Sequence, residues 1–291
     1  MTPTPPRPLA SVGKPLLWIE YLLLFFVVPG GLAWWRLHPE PIADWLAGRD
    51  ASPWILRLAE RPGQLMMPTL ALFCIGCFVF LLLDRSFARQ EFWSPRKLGP
   101  ELKRILAIWL PCIAGLVGLT AVLRSEYLFI LPREIPLLWL MIMCLYPIFS
   151  VYPQGVIYRP FLFHRYSSIF TTPPAMIAAS AIAFGWMHIV FLNWLAPLLT
   201  LGGGVLFAWT YHRTRSAFAA SFEHAIYGCW IFTVGLGLYF FGGAQVGEDG
   251  ELRHPREGPP SQVDTPAYDD VSTSQLSPVR PPWLRPPSDA A

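Results

Sequence analysis

The chain has 291 residues, 54% of them hydrophobic and only 14% charged, with a mean hydropathy of +0.41. Its apolar residues come in long runs, which excludes an ordinary soluble domain. A formal net charge of +3 says little about partners; it gives no ground for a nucleic acid, and the runs make the lipid bilayer the first partner expected.

The first fourteen residues, "MTPTPPRPLASVGK", are Pro-rich, and segment 1–14 is expected to be disordered. A helix needs roughly 20 apolar residues to cross a bilayer core. Seven successive runs approach that length, beginning at Pro15, Leu65, Ile105, Ile135, Pro173, Trp194 and Ala217. The fold expected is all-α, a multi-pass transmembrane helical bundle of about seven spans filling 15–241. The first run is too long for a signal peptide, lacks a small-residue cleavage site and ends in "WWR", so it stays as a helix. Cys74, Cys77, Cys112, Cys144 and Cys229 all fall within apolar runs, where thiols pack as small hydrophobes. Gly202, Gly203 and Gly204 sit mid-span and should let helices approach closely.

Basic residues cluster at Arg7 and Lys14, from Arg85 to Arg104, at Arg159 and Arg165, and at Arg213 and Arg215. Counting spans puts these clusters on one side, which the positive-inside bias makes cytoplasmic. From Gly242 the chain turns polar and Pro-rich. Segment 242–291 is expected to be a disordered tail, since it cannot bury enough apolar surface to offset chain entropy.

Three polar clusters interrupt the runs: Gln154 and Arg159 with His164 and Arg165, His188 followed by Asn193, and Glu223 with His224. An ionisable group at a span centre costs about 2.5–3.5 kcal/mol on insertion scales, so each is a candidate for function. His164 and Arg165 lie near a helix end and can reach the interface. Arg159 cannot shed its proton and needs an acceptor from another helix, from carbonyls or from water.

At these residues the sequence resembles the CPBP family of CAAX-protease and bacteriocin-processing membrane endopeptidases, also called Abi-type. That family carries E-E-x-x-x-R, F-x-x-x-H and H-x-x-x-N in order, and here "QGVIYR", "FGWMH" and "HAIYG" stand at the matching places. The resemblance implies a helical-bundle peptidase acting on a membrane-associated peptide or protein. In that family the first glutamate and the second-motif histidine activate water, the third motif stabilises the oxyanion, and the arginine holds the second glutamate. Arg159, His188 and His224 match. Gln154 stands in place of the water-activating glutamate, Gly155 in place of its neighbour, and Gly228 in place of the asparagine.

A glutamine amide orients water but accepts no proton near neutral pH, and a general base contributes about 10²–10⁴-fold. Glu223 is the one acidic residue deep in the last three runs. Pairing with Arg159 is preferred for it, because an intramembrane arginine demands a counter-charge; facing His188 as a base is the alternative. Asn193 either replaces the missing oxyanion amide or caps a helix. The candidate catalytic set is His188, His224, Gln154, Arg159 and Glu223. Two histidines and a glutamate are a zinc-like ligand set, but no H-E-x-x-H places them on one face, and neither metal nor cofactor is expected. Three functions are weighed: a membrane peptidase with a rearranged acid, a catalytically inactive relative that binds a partner or peptide, and a transporter relaying protons through its histidines. The last lacks paired internal repeats.

Overall fold

Each apolar run forms a helix. In the computed structural model these are α1, Lys14–Leu37; α2, Pro62–Leu83; α3, Gly99–Tyr127; α4, Pro136–Arg165; α5, Pro173–Phe191; α6, Leu195–Thr214; and α7, Ala217–Val234. The structure describes residues 13–240 and the backbone of one antiparallel pair of two-residue strands, Gln245–Val246 with Leu252–Arg253. Residues 1–12, and the segment expected as a tail apart from those strands, lie outside the described residues.

The first five helices are long and apolar enough to cross a membrane. The glycine triplet with His212 and Arg213 makes α6 less apolar, and Glu223 with His224 does the same for α7. Both pack within the same bundle. Large aliphatic side chains point outward along the spans, with Leu72, Leu137 and Val122 exposed by 73%, 71% and 85%. Apolar surface of that extent is stable only against lipid. The chain is therefore an integral membrane protein built as an all-α bundle.

Proline shapes two of the helices. Leu23–Val27 in α1 and both Pro147–Val151 and Ile157–Phe161 in α4 open into π-helical turns. Each has a proline inside it or two residues beyond: Pro29, Pro147 with Pro153, and Pro160. A proline ring clashes with the carbonyl four residues back and offers no N–H, so the local turn widens. Starts are marked as the chemistry requires. The Thr172 hydroxyl accepts the Ala175 N–H at 3.4 Å before α5, and Ser216 accepts that of Ala219 at 3.3 Å before α7.

The closest helix pair is α5 with α6. A Cβ at Gly204 would lie 2.9 Å from Ala181 Cα, and one at Gly185 would lie 3.1 Å from Leu201 Cα. Of the expected triplet, Gly204 makes the close approach, while Gly202 meets nothing within 4 Å.

Among the described residues, several basic side chains at one end of the bundle meet an acid from elsewhere in the chain. Arg165 grips Glu20 through two hydrogen bonds of 2.9 and 2.6 Å. Arg213 holds Glu101 at 2.9 Å, Arg215 holds Glu91 at 3.0 Å, and His164 meets Asp84 at 3.1 Å. Arg159 does not belong with them. It is 1% exposed and sits inside the bundle. At the opposite end Arg36 donates to the Val190 carbonyl at 2.6 Å, tying α1 to the end of α5. All five cysteines are free thiols.

Candidate active site

A cavity of about 910 Å³ lies between α2, α3, α4, α5, α6 and α7. Its walls are mostly Leu, Ile, Met and Phe. Polar groups enter it chiefly from three places: Tyr146, Ser150 and Gln154 on α4, His188 at the end of α5, and His224 on α7. Two imidazoles from separate helices thus share one chamber with the glutamine. Among the described residues, none that lines the cavity is an aspartate or glutamate.

His188 stands where α5 tightens into a 3-10 turn, His188–Phe191. Its Nδ1 is 2.7 Å from the Phe184 carbonyl. A carbonyl oxygen only accepts, so Nδ1 carries the proton and Nε2 keeps its lone pair. The four-residue spacing read in "FGWMH" is what brings that carbonyl under the ring. His224 stacks on Phe207 with centroids 4.7 Å apart and planes at 19°, and meets Phe184 edge-on at 5.2 Å. Its Nε2 is 3.5 Å from the Tyr146 hydroxyl.

Arg159 packs against the same two phenylalanines and does not line the cavity. Its guanidinium carbon is 4.7 Å from the Phe184 ring centre and 5.3 Å from that of Phe207. Its Nη1 donates to the Gln154 backbone carbonyl at 3.4 Å, while Nε and Nη2 have no hydrogen-bond partner among the described residues. Phe184 therefore touches Arg159, His188 and His224 together.

The ion pair expected between Arg159 and Glu223 is not formed. Glu223 is fully buried, accepts the Thr210 hydroxyl and lies 3.9 Å from Arg104 of α3. It sits outside the cavity lining and does not face His188. Adjacent helix positions diverge by about 100°; with His224 turned to the chamber, Glu223 turns to α3 and α6. Asn193 is a cap: its Oδ1 accepts the Ala196 N–H at 2.9 Å, and its amide donates to the Tyr239 carbonyl at 2.8 Å.

The two glycine departures are filled from other helices. A Cβ at Gly155 would collide with the Ser221 hydroxyl of α7, and one at Gly228 with the Tyr146 hydroxyl of α4. The Gln154 side chain donates to Ser150 at 2.9 Å, and its amide oxygen Oε1 is buried with no partner among the described residues. Among the described residues no group of three or more His, Cys, Asp or Glu could hold a metal ion.

Residues 134–230, about a third of the chain, match the family model described as type II CAAX prenyl endopeptidase Rce1-like. The matched model belongs to the CPBP family, which the motifs of this segment resemble. The segment begins just before α4 and ends within α7, so it contains every residue that brings a polar group into the chamber from those helices and from α5. The family it matches is one of CAAX-type membrane peptidases. No curated protein and no solved structure matches the chain.

Proposed function

We propose that the chain is a membrane-embedded endopeptidase that hydrolyses a peptide bond of a membrane-associated protein or peptide within the cavity, with His188 as its base. The observation that carries this reading is the meeting of His188, His224 and Gln154 in one chamber with His188 Nε2 left as an acceptor.

In this reading the unpartnered Gln154 amide oxygen accepts one hydrogen of a water and aims it. His188 Nε2 takes the other proton as the water oxygen bonds to the carbonyl carbon. Negative charge then develops on the carbonyl oxygen, toward His224. Collapse of the tetrahedral intermediate breaks the C–N bond, and the His188 imidazolium returns its proton to the departing amine. The imidazole needs no carboxylate to hold its tautomer, because the Phe184 carbonyl does so. Glu223 and Arg104 stand behind the wall as support.

A second reading is favoured by the lack of an acidic side chain among the described residues of the lining: a protease-like scaffold that binds a membrane-associated peptide without cutting it. One experiment separates the two. The full chain in lipid nanodiscs is offered a library of membrane-anchored peptides, and cleavage is followed by mass spectrometry. The peptidase reading expects slow cleavage that falls about 10²-fold or more in His188→Ala, survives in Glu223→Gln and rises in Gln154→Glu. Cleavage only in Gln154→Glu identifies the scaffold. Native cleavage undiminished by His188→Ala sinks the mechanism.

A further inference from the structure

Tyr146, Ser150, Gln154 and Tyr158 follow one another at intervals of four along α4, and all four line the cavity. In a regular α-helix four residues overshoot a full turn by about 40°, so such a file would wind away from the chamber. The π-helical turns Pro147–Val151 and Ile157–Phe161 are wider and fall short of a full turn in four residues, which keeps the file facing inward. Proline placement thus delivers a strip of polar groups into an otherwise apolar space.

Tyr146 sits at the head of that file, and its position is set by the glycine at 228. A Cβ there would collide with the phenol hydroxyl and lie 2.8 Å from its Cζ. The phenol therefore occupies the room that any side chain at 228 would need. The ring is seated edge-on against Phe232, centroids 5.2 Å apart. Its hydroxyl is 3.5 Å from His224 Nε2. Two hydrogen-bonding groups from different helices thereby meet on the wall of the cavity that Gln154 and His188 also line.

We propose that Tyr146 is the second oxyanion donor of this site, its hydroxyl converging with His224 Nε2 on the carbonyl oxygen of the bond under attack. The assignment rests on the peptidase reading above. The protons are arranged without conflict when His224 carries its proton on Nε2 and Tyr146 turns its own toward the cavity. Both donors are fixed before the charge appears and lie in a low-dielectric space, where one such donor is worth about 10²–10³ in kcat. No base strength is asked of Tyr146. It remains a neutral phenol throughout.

The test uses the full chain in lipid nanodiscs, a peptide from the cleavage library, and a phosphinate analogue of that peptide whose tetrahedral phosphorus bears the oxyanion. If nothing is cleaved, the tightest-binding library member serves as the parent. Tyr146→Phe keeps the ring and deletes only the hydroxyl. It is expected to lower kcat about 10²-fold with KM unchanged, and to weaken the phosphinate at least tenfold while leaving the parent peptide's affinity intact. Tyr146→Ala with Gly228→Asn, which places an amide in the emptied volume, is expected to recover phosphinate affinity over Tyr146→Ala alone. Equal loss of both ligands in Tyr146→Phe, or loss of neither, overturns the assignment. Selective loss of the phosphinate in a protein that cleaves nothing sinks the peptidase reading and keeps Tyr146 as the donor. A native protein that binds phosphinate no better than parent peptide sinks both.

Discussion

Gly155 and Ser221 form a matched pair, and the match has a consequence for any attempt to rebuild the family's first motif. The space beside Gly155 is filled by the Ser221 hydroxyl of α7, so a glutamate at 155 overpacks the α4–α7 contact. Overpacking of this kind costs about 1–3 kcal/mol. Gly155→Glu is expected to destabilise the fold by that much, read as a lower unfolding midpoint in detergent, and Ser221→Gly to recover part of the loss when combined with Gly155→Glu. An unaltered midpoint in Gly155→Glu alone would refute the pairing. Glu223 yields a second test. Its carboxylate answers Thr210 and Arg104, so Glu223→Gln is expected to cost about 1–3 kcal/mol in stability while leaving cleavage within a few-fold of native. At this scale the three motif residues of the chamber, Gln154, His188 and His224, were legible, because each interrupts an apolar run at family spacing. Tyr146, Ser221 and Arg104 were not. Each is unremarkable within its own helix and gains a role only from a glycine or an acid far along the chain.

Helices α5 and α6 make the contact on which the position of His188 depends. The glycine triplet of α6 reads in sequence as a single small-residue patch, yet its members face different surroundings. Gly204 meets the backbone of Ala181, whereas Gly202 opens onto the cavity. Gly204→Leu should therefore push α6 off α5 and lower the unfolding midpoint, with a cost of about 1–3 kcal/mol or more because backbone is what must move. Gly202→Leu should leave the midpoint alone and fill part of the chamber instead, weakening peptide binding. Equal effects of the two substitutions on stability would contradict the packing. The order of the long helices could be read from the apolar runs, since burial in lipid leaves a strong hydropathy signal. The wide turns of α4 were harder to foresee. Prolines at 147, 153 and 160 announce a disturbance, but whether a helix kinks, breaks or widens depends on neighbours that relieve the freed carbonyls.

Among the described residues, the basic side chains paired with acids from distant segments, Arg165, Arg213 and Arg215, stand at one end of the bundle. The clustering of Arg and Lys was visible in sequence and located that end. The acids that fix the loops there, Glu20, Glu91, Glu101 and Asp84, lie singly in distant segments and acquire meaning only when the bundle closes. Asp84, just beyond α2, gives this arrangement a measurable pH dependence. Burial pushes its carboxyl up, but two hydrogen bonds from Ser86 and one from His164 outweigh that and hold it at about 2, against an ordinary 3.8. A folded value below the unfolded one means that the ionised carboxylate favours the fold. The contribution is complete above 3.8 and disappears as pH falls from there through about 2. Unfolding midpoints in a nonionic detergent should thus separate native protein from Asp84→Asn by a constant gap from neutral pH down to about 5, and the gap should close as pH approaches 2. A gap that persists undiminished at the lowest pH would mean that Asp84 holds the α2–α4 junction through shape rather than charge.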